Sequence, residues 1–290
     1  MPHEILKRRD WFKTDGFPIA VERREPQTPF GLHAHEFSEI VIITSGQGTH
    51  VTGGEAYPLN AGDVFVIGGS RPHDYHSMDR LCLVNLLFQP AKLDLRHHDL
   101  QTLPGYHALF TLEPVWRQRH QFQSRLRLPP NRLGALMELV DQLDGELKHR
   151  PGGFRFVATA LFMQIVGYLS RFYADTNRAD SRSLLRIGKA ISHLETHFCD
   201  PINLDELAGM AHMSPRSFTR NFQAALNLSP IAYLVQLRVN HAAGLLRRTN
   251  LGITEIAFQS GFNDSNYFSR AFRKVFGHAP SELGREMPLL

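Results

Sequence analysis

The periodicity of hydrophobic residues changes along the chain near residue 130. Before that point, short runs of β-branched and aromatic residues, such as residues 39–44 and 63–67, are separated by turns rich in glycine and asparagine. Runs of this length indicate β-strands, and several short strands in succession are typical of an antiparallel barrel or jelly roll. We therefore predict a β-barrel in the first part of the chain. Residues 91–128 show no clear period and are expected to be irregular.

After residue 130, apolar residues recur every three or four positions, which indicates helices. The first predicted helix carries an apolar stripe that consists of Leu133, Leu136, Met137, Val140, Leu143 and Leu147. A second helix, predicted over residues 154–173, is apolar over most of its circumference, which indicates burial. The stripe on the first helix suits either a dimer interface or packing within the chain, and both interpretations stay open.

The length of 290 residues exceeds the usual size of one hydrophobic core, so more than one domain is expected. We predict a multidomain α+β protein. Its parts are a β-barrel domain over residues 1–128, a helical segment over 129–174, a linker over 175–183 and an all-α domain over 184–290. The linker is assigned to a polar stretch of small residues that has no hydrophobic period.

The overall composition is that of an ordinary globular protein, with 42% hydrophobic and 21% charged residues. No stretch approaches the roughly eighteen apolar residues that a membrane-spanning helix needs. The basic N-terminus is not followed by an apolar segment, so we predict no signal peptide. Cys82 and Cys199 have apolar neighbours and are predicted to be buried, reduced thiols of a cytosolic protein.

The last hundred residues contain two predicted helix-turn-helix units. In the first, Asn203 followed by Glu206 is typical of a capping box that begins a helix over residues 204–211. Ser214 and Pro215 then supply an N-cap and a proline at the first position of a helix over about 214–226. The tight turn between these two helices is the spacing of a helix-turn-helix.

The same pattern is repeated after a long helix that runs from residue 230 to about 247. A short helix over residues 253–260, a turn at residues 261–262 and a helix over 264–276 form the second unit. The long helix spans roughly 27 Å at 1.5 Å per residue. Major grooves on one side of DNA lie about 34 Å apart, so both second helices can reach adjacent grooves.

Each second helix has a polar face that suits DNA. The candidate DNA-contacting residues are Arg216, Ser217, Thr219 and Arg220 in the first unit and Asp264, Ser265, Asn266, Arg270, Arg273 and Lys274 in the second. Arginine pairs with guanine, asparagine with adenine, and aspartate accepts a hydrogen bond from cytosine. For Asp264, a purely structural N-cap is an equally weighted alternative. The formal net charge is +4, and the whole excess lies after residue 181.

Residues 190–285 resemble the DNA-binding domain of the AraC family of bacterial regulators. The resemblance is carried by positions that include Leu207, Ala208, Ser214, Pro215, Arg216, Phe218, Arg220, Phe222, Tyr233, Arg238, Ile256, Ala257, Gly261, Phe262, Phe268, Arg270, Phe272 and Pro280. It implies that both units enter the major groove and that Arg216, Arg220, Asp264 and Asn266 contact bases. His212 and Met213 depart from the family, which usually has a small residue in the first turn.

A second motif lies in the predicted barrel, where His33, His35 and Glu39 are spaced to face one side of a strand, with His73 downstream. The set resembles the metal site of cupins, which hold a divalent ion with three histidines and a glutamate. Three interpretations stay open: a metal site, direct contacts to a small-molecule effector, and a structural network. The remaining histidines considered, His50, His76, His97 and His98, are predicted to lie on the surface or in loops.

The whole chain resembles the L-rhamnose-responsive branch of the same family, through residues 33–42, 46–51, 71–75, 81–85 and 261–269. The resemblance implies a bacterial, cytoplasmic activator that binds double-stranded DNA and works with RNA polymerase. It also implies a homodimer, no membrane association and a monosaccharide effector such as L-rhamnose or a relative. We expect no enzymatic activity. The alternative is a metal-dependent cupin enzyme with an appended DNA-binding domain.

Overall fold

The strands of the first part of the chain hydrogen-bond into one sheet. In a computed structural model, which describes residues 3–69, 71–93, 99–116, 126–175 and 179–283, the strands are β1 (Glu4–Leu6), β2 (Ile19–Arg24), β3 (His33–His35), β4 (Ser38–Thr52), β5 (Glu55–Asn60), β6 (Asp63–Ile67), β7 (His73–Phe88) and β8 (Leu126–Arg127). Their order is β1-β3-β7-β4-β6-β8, with β2 also pairing with β7 and β5 with β4. Only β1 and β3 pair in parallel among these strands.

The long strands β4 and β7 form the centre of this sheet domain. They pair antiparallel from Ser38 opposite Phe88 to Thr52 opposite His73, with register shifts between Ile43 and Thr49. Residues 40–43 are completely buried. A strand that is buried on both faces reads as a continuous apolar run, which is why this segment lacks a polar alternation.

The segment after the sheet is helical where we expected irregular structure. A short helix near the start of the chain is α1 (Arg8–Trp11), and the segment after β7 contains α2 (Pro104–Tyr106), a π-helical stretch (His107–Leu112) and α3 (Glu113–Trp116). Gly105 lies so close to a later helix that a Cβ atom there would be 1.9 Å from the carbonyl oxygen of Ser170. These helical turns are too short to produce a readable period, and contacts with a distant segment hold them in place. The His97 and His98 prediction lies outside the described residues.

Two long helices follow, α4 (Pro130–His149) and α5 (Phe154–Ala174). Four members of the predicted apolar stripe, Leu136, Val140, Leu143 and Leu147, are buried within the chain. The stripe therefore packs intramolecularly. Among the described helices, α5 is long and apolar enough to cross a membrane by length and composition, which we did not expect from the sequence. Its buried residues include Phe162 and Leu169, and a core helix passes the same test.

The C-terminal part consists of α6 (Ala179–His197), α7 (Leu204–Met210), α8 (Pro215–Leu226), α9 (Pro230–Arg248), α10 (Ile253–Gln259) and α11 (Ser265–Phe276). Ser214, Ser229 and Asp264 cap α8, α9 and α11. Asn203 caps α7 by accepting from the backbone N–H of Asp205, without the predicted partnership with Glu206. The α+β class, with a sheet-rich domain followed by helices, is confirmed.

The chain divides into two compact units, Met1–Gly188 and Lys189–Leu290. Residues 179–183, which we assigned to a linker, belong to α6 instead. The apolar face of that helix, with Leu184, Ile187 and Ile191 buried, begins directly after this polar stretch, so the helix extends one turn beyond its apolar residues. The predicted burial of the two cysteines is also wrong, because Cys82 is half-buried and Cys199 is exposed, although both are free thiols.

Candidate DNA-binding surface and buried histidine cluster

The first helix-turn-helix consists of α7 and α8, and α8 separates apolar from basic residues by helical spacing. Phe218 and Phe222 are completely buried and meet edge to face, with ring centroids 5.5 Å apart. Arg216 and Arg220 lie on the opposite side and are exposed, whereas Ser217 and Thr219 are half-buried. The two guanidinium groups are thus presented together on the outer face of the helix.

The second helix-turn-helix consists of α10 and α11 and has the same division. Phe268 and Phe272 are completely buried, and the polar residues Asn266, Arg270, Arg273 and Lys274 are exposed. Ser265 is half-buried. Asp264 is exposed, but its Oδ1 accepts hydrogen bonds from the backbone N–H groups of Asn266 and Tyr267, at 2.7 and 3.3 Å. The carboxylate therefore acts as the N-cap of α11.

Sequence reasoning missed two side chains on these outer faces. Gln223 is exposed three residues after Arg220, and Tyr267 is 45% exposed three residues before Arg270. Residues three apart on a helix lie on one face, so the spacing could have identified both. They extend the polar surface of α8 and α11.

A buried polar cluster lies in the sheet domain, at the ends of β3, β4 and β7. His35 and His73 each direct Nε2 toward Oε1 of Glu39, at 3.5 and 3.2 Å. All three side chains are nearly inaccessible to solvent, and their ligand atoms lie within 4.8 Å of one another. In the described part of the chain these three atoms have no partner with hydrogen-bond geometry. The structure thus brings together three of the four candidate residues, His35, Glu39 and His73.

The hydrogen bonds of the other ring nitrogens, Nδ1 of His35 and of His73, determine what the cluster can bind. Nδ1 of His35 lies against the carbonyl oxygen of Phe37, and Nδ1 of His73 is 3.1 Å from that of Arg71. A carbonyl only accepts, so Nδ1 is the donor and Nε2 of a neutral ring carries a lone pair. Two lone pairs facing a carboxylate repel it unless a proton or a metal ion lies between them.

The charges in the cluster reflect this arrangement. Burial opposes the charge of Glu39, but the two histidines outweigh it and hold the pKa of that carboxyl well below its ordinary value. Burial lowers the pKa of His35, yet Glu39 raises it above the ordinary value overall. Burial and the neighbouring His73 lower the pKa of His33. Glu39 is therefore ionised, and the lowered pKa of His33 favours the neutral form of that histidine.

His33 lies beside the cluster, with its ring centroid 4.2 Å from that of His73. It faces a cavity of about 30 Å³, room for about one water molecule. The cavity is lined by Leu6, Trp11, Arg24, Gln27, Phe30, His33, Phe37, Glu39, Tyr75 and Leu87. Glu39 therefore belongs both to a deep trio with His35 and His73 and to the cavity wall, which also contains His33.

The prediction for His50 is wrong, because this residue is buried on β4 opposite Tyr57 and Tyr75. Its ring centroid lies 5.7 Å from that of His73. The β4 strand continues to Thr52, beyond the glycines that we read as a turn, and this extension carries His50 inward. His76 is exposed, as predicted.

Two helix-turn-helix units with basic outer faces follow, along the chain, a sheet domain with a small cavity lined by apolar and polar side chains. This combination defines a DNA-binding regulator with a ligand-sensing domain. Comparisons with known proteins agree. Residues 18–163 match the family described as AraC-like ligand binding domain, and residues 207–286 match the family described as helix-turn-helix domain.

Curated relatives match over nearly the whole chain. The HTH-type transcriptional activator RhaR of Mannheimia succiniciproducens is 32% identical over 96% of this chain and 95% of its own length. The activator RhaS of Escherichia coli O1:K1 is 32% identical over 96% of both chains. A solved AraC-type regulator from Chromobacterium violaceum is 31% identical over 33% of this chain and 87% of its own, with a TM-score of 0.32. The chain belongs to the AraC family of transcriptional regulators, and the relatives are regulators rather than enzymes.

Proposed function

We propose that this protein is a transcriptional activator that binds DNA through α8 and α11 and responds to a monosaccharide bound in its sheet domain. The observation that carries the proposal is the pair of matching helices, each with buried phenylalanines on one side and exposed polar residues on the other. Helices of this kind present side chains to base edges in the major groove. The names of RhaR and RhaS as transcriptional activators support activation.

The DNA-binding part is tested with a duplex that the wild-type protein selects from a random pool. Replacing Arg216 or Arg220 by alanine should weaken binding by about 1–3 kcal/mol each and relax specificity at one base position. Arg9→Ala, which removes an 85% exposed arginine from the sheet domain, is the control for net charge. If both recognition-helix variants bind like the control, the assignment of α8 is wrong.

The effector site that we propose is the cavity beside His33. Its wall combines aromatic side chains, Trp11 and Tyr75, with the polar groups of Arg24 and Glu39, which suits the apolar ring faces and hydroxyls of a sugar. A monosaccharide such as L-rhamnose exceeds the present volume of about 30 Å³, so side chains at the cavity must move when it binds. Because Trp11 lines the cavity, its fluorescence should report binding.

The buried trio fits a divalent metal ion. His35 and His73 offer Nε2 and Glu39 offers Oε1, and the backbone carbonyls on the Nδ1 side match the outer contacts that orient metal-bound imidazoles. These three residues would hold the ion, with His33 close by. When bound, the ion would polarise a sugar hydroxyl at the cavity. The competing arrangement is a proton shared between the histidines and Glu39.

One experiment separates these cases: thermal unfolding of the full chain with monosaccharides, with and without a chelator. A sugar at one hundred times its dissociation constant should stabilise the sheet domain by about 2.7 kcal/mol. A stabilisation that the chelator abolishes supports the metal. A stabilisation that the chelator leaves unchanged would make the histidines and Glu39 either direct sugar contacts or a structural network. No response to any sugar would contradict the effector proposal and leave DNA binding to stand alone.

The proposal also includes a homodimer that engages RNA polymerase in the bacterial cytoplasm. Because the stripe of α4 is buried, another surface has to form the dimer. Phe156 and Val157, near the start of α5, are 81% and 40% exposed and offer apolar surface. Sedimentation of the full chain, alone and with DNA, measures the oligomeric state.

A further inference from the structure

Arg238, in the middle of α9, contacts the chain just beyond the end of α6. Its Nε donates to the carbonyl oxygen of Phe198 at 2.6 Å, and its Nη2 donates to that of Asp200 at 2.8 Å. Carbonyls that follow a helix end lack intrahelical partners, and a cation there also interacts favourably with the helix dipole. Arg238 therefore fixes residues 198–200 against α9.

The turn of the second helix-turn-helix lies against the same place. A Cβ atom on Gly261 would be 2.8 Å from the carbonyl oxygen of Cys199 and 2.9 Å from Nε of Arg238. The guanidinium carbon of Arg238 lies 6.0 Å from the centre of the Phe262 ring. The turn, the arginine and residues 198–200 thus form one contact region.

This contact region continues into the second recognition helix. Phe262 is almost fully buried, and its ring centroid lies 5.2 Å from that of Phe268 and 6.0 Å from that of Tyr267, both on α11. In the described part of the chain, Arg238 forms no salt bridge with a carboxylate. Its position is therefore set by the two backbone carbonyls and by the ring it covers.

The first unit is connected to α6 in a different way. The hydroxyl of Tyr233 on α9 bonds to Glu195 on α6, and its ring centroid lies 5.6 Å from that of Phe222 on α8. The two recognition helices therefore depend on two separate anchoring residues of α9. Tyr233 connects to α8, and Arg238 connects to the turn before α11.

We propose that Arg238 is a positioning residue for the second recognition helix: it holds the turn at Gly261 and Phe262 to residues 198–200 and so fixes how α11 meets DNA. The proposal rests on the DNA-binding function proposed above. Loss of this anchor weakens recognition by α11 and leaves recognition by α8 intact. A general loss of folding would affect both helices alike, which makes the two cases separable.

The test uses the full chain and the duplex selected by the wild-type protein. Its two halves are assigned by the base positions at which Arg220→Ala and Arg270→Ala lose discrimination. For each variant, affinity is then measured for the parent duplex and for duplexes substituted in either half. Arg238→Met should reduce discrimination in the α11 half by about fivefold or more, with no change in the α8 half. Arg238→Lys keeps one donor nitrogen and should therefore retain part of the discrimination in the α11 half.

Tyr233→Phe is the matched control, because it removes the other anchor on the same helix while keeping the ring. It should leave discrimination in the α11 half unchanged. Equal losses of discrimination in both halves for Arg238→Met, or no loss in either, would overturn the proposal. If the methionine variant does not fold, the same criteria apply to Arg238→Lys. Failure of the wild-type protein to select any duplex would instead contradict the proposed function itself.

Discussion

The two helix-turn-helix units make the same backbone turn with different residues. In the first, the N–H of Met213 bonds to the carbonyl of Ala208 at 2.9 Å, and in the second the N–H of Phe262 bonds to that of Ala257 at 3.0 Å. The residue before each donor is left-handed: His212 has a φ of 52° and Gly261 a φ of 84°. One unit thus tolerates a side chain where the other has none.

The surroundings of the turn explain this difference. His212 is exposed, so its side chain extends into solvent and the turn bears only the cost of a left-handed non-glycine residue. Gly261 lies against the backbone of Cys199, where a Cβ atom has no room. Backbone hydrogen bonds set the shape of the turn, and the neighbouring chain decides which residue can occupy it.

The caps of the recognition helices differ as well. Ser214 accepts one backbone N–H, that of Ser217 at 3.3 Å, whereas Asp264 accepts two. An aspartate at a helix N-terminus also interacts favourably with the helix dipole. The N-terminus of the second recognition helix is therefore capped more strongly than that of the first.

Among the variants that test the difference between the two turns, Gly261→Ala is expected to have the largest effect on stability. The new Cβ meets backbone atoms at under 3 Å and forces a left-handed alanine, so the free energy of unfolding should fall by about 2–4 kcal/mol. His212→Gly, its counterpart, should change stability by less than about 1 kcal/mol. Circular dichroism at the helix band during urea unfolding measures both.

An internal reference comes with this measurement. Both tryptophans, Trp11 and Trp116, belong to the first compact unit. The unfolding transition seen by their fluorescence should therefore report on that unit and should not change in the Gly261→Ala variant. An alanine at position 261 that is tolerated as well as a glycine at 212 would show that the neighbouring backbone does not distinguish the two turns.

A smaller effect is expected for Asp264→Ala, which removes both cap hydrogen bonds of α11 and should cost about 0.5–2 kcal/mol of stability. Asp264→Ser keeps an N-cap oxygen and should remain close to wild type. Affinity for the selected duplex then separates cap from base contact. Retention of full specificity in the serine variant would confine Asp264 to capping, whereas relaxed specificity at one cytosine would establish a base contact.

The smallest effect is expected for Ser214→Ala, which removes one long cap hydrogen bond from α8 and should cost about 0.5–1 kcal/mol. Ser214→Asp should be neutral or slightly stabilising, because it gives α8 the same type of N-cap residue that α11 has. Unfolding of these two variants beside the Asp264 pair tests the ranking. If the alanine substitution at Ser214 lowers stability more than the one at Asp264, the N-cap of α8 is the stronger of the two, contrary to our expectation.

Most of the helical half of the fold could be predicted because its determinants are local. Ser214, Ser229 and Asp264 cap the helices that follow them by bonding to N–H groups two or three residues away. The buried phenylalanines of α8 and α11 recur four residues apart. Where the sequence misled, as at residues 179–183, the helix extended beyond its apolar face and no nearby residue marked the change.

The sheet domain was less predictable because its site joins distant segments. The spacing of His33, His35 and Glu39 indicated a shared face. The partnership with His73, however, depends on the pairing of His33 with His73 across two strands. Trp11 and Arg24 were missed since they reach the cavity from segments with no motif, and His50 was misplaced because a strand continued through apparent turn residues.

The sequence by itself determined the family, the helix-turn-helix pair and the outer faces of its recognition helices, since caps and helical periods act between residues within one or two turns. Only the tertiary structure decided which buried polar groups converge, that the α4 stripe is covered, and that Arg238 connects residues 198–200 to the turn at Gly261. Those contacts join segments tens of residues apart, and a strand shifted by one position would turn every side chain to the opposite face.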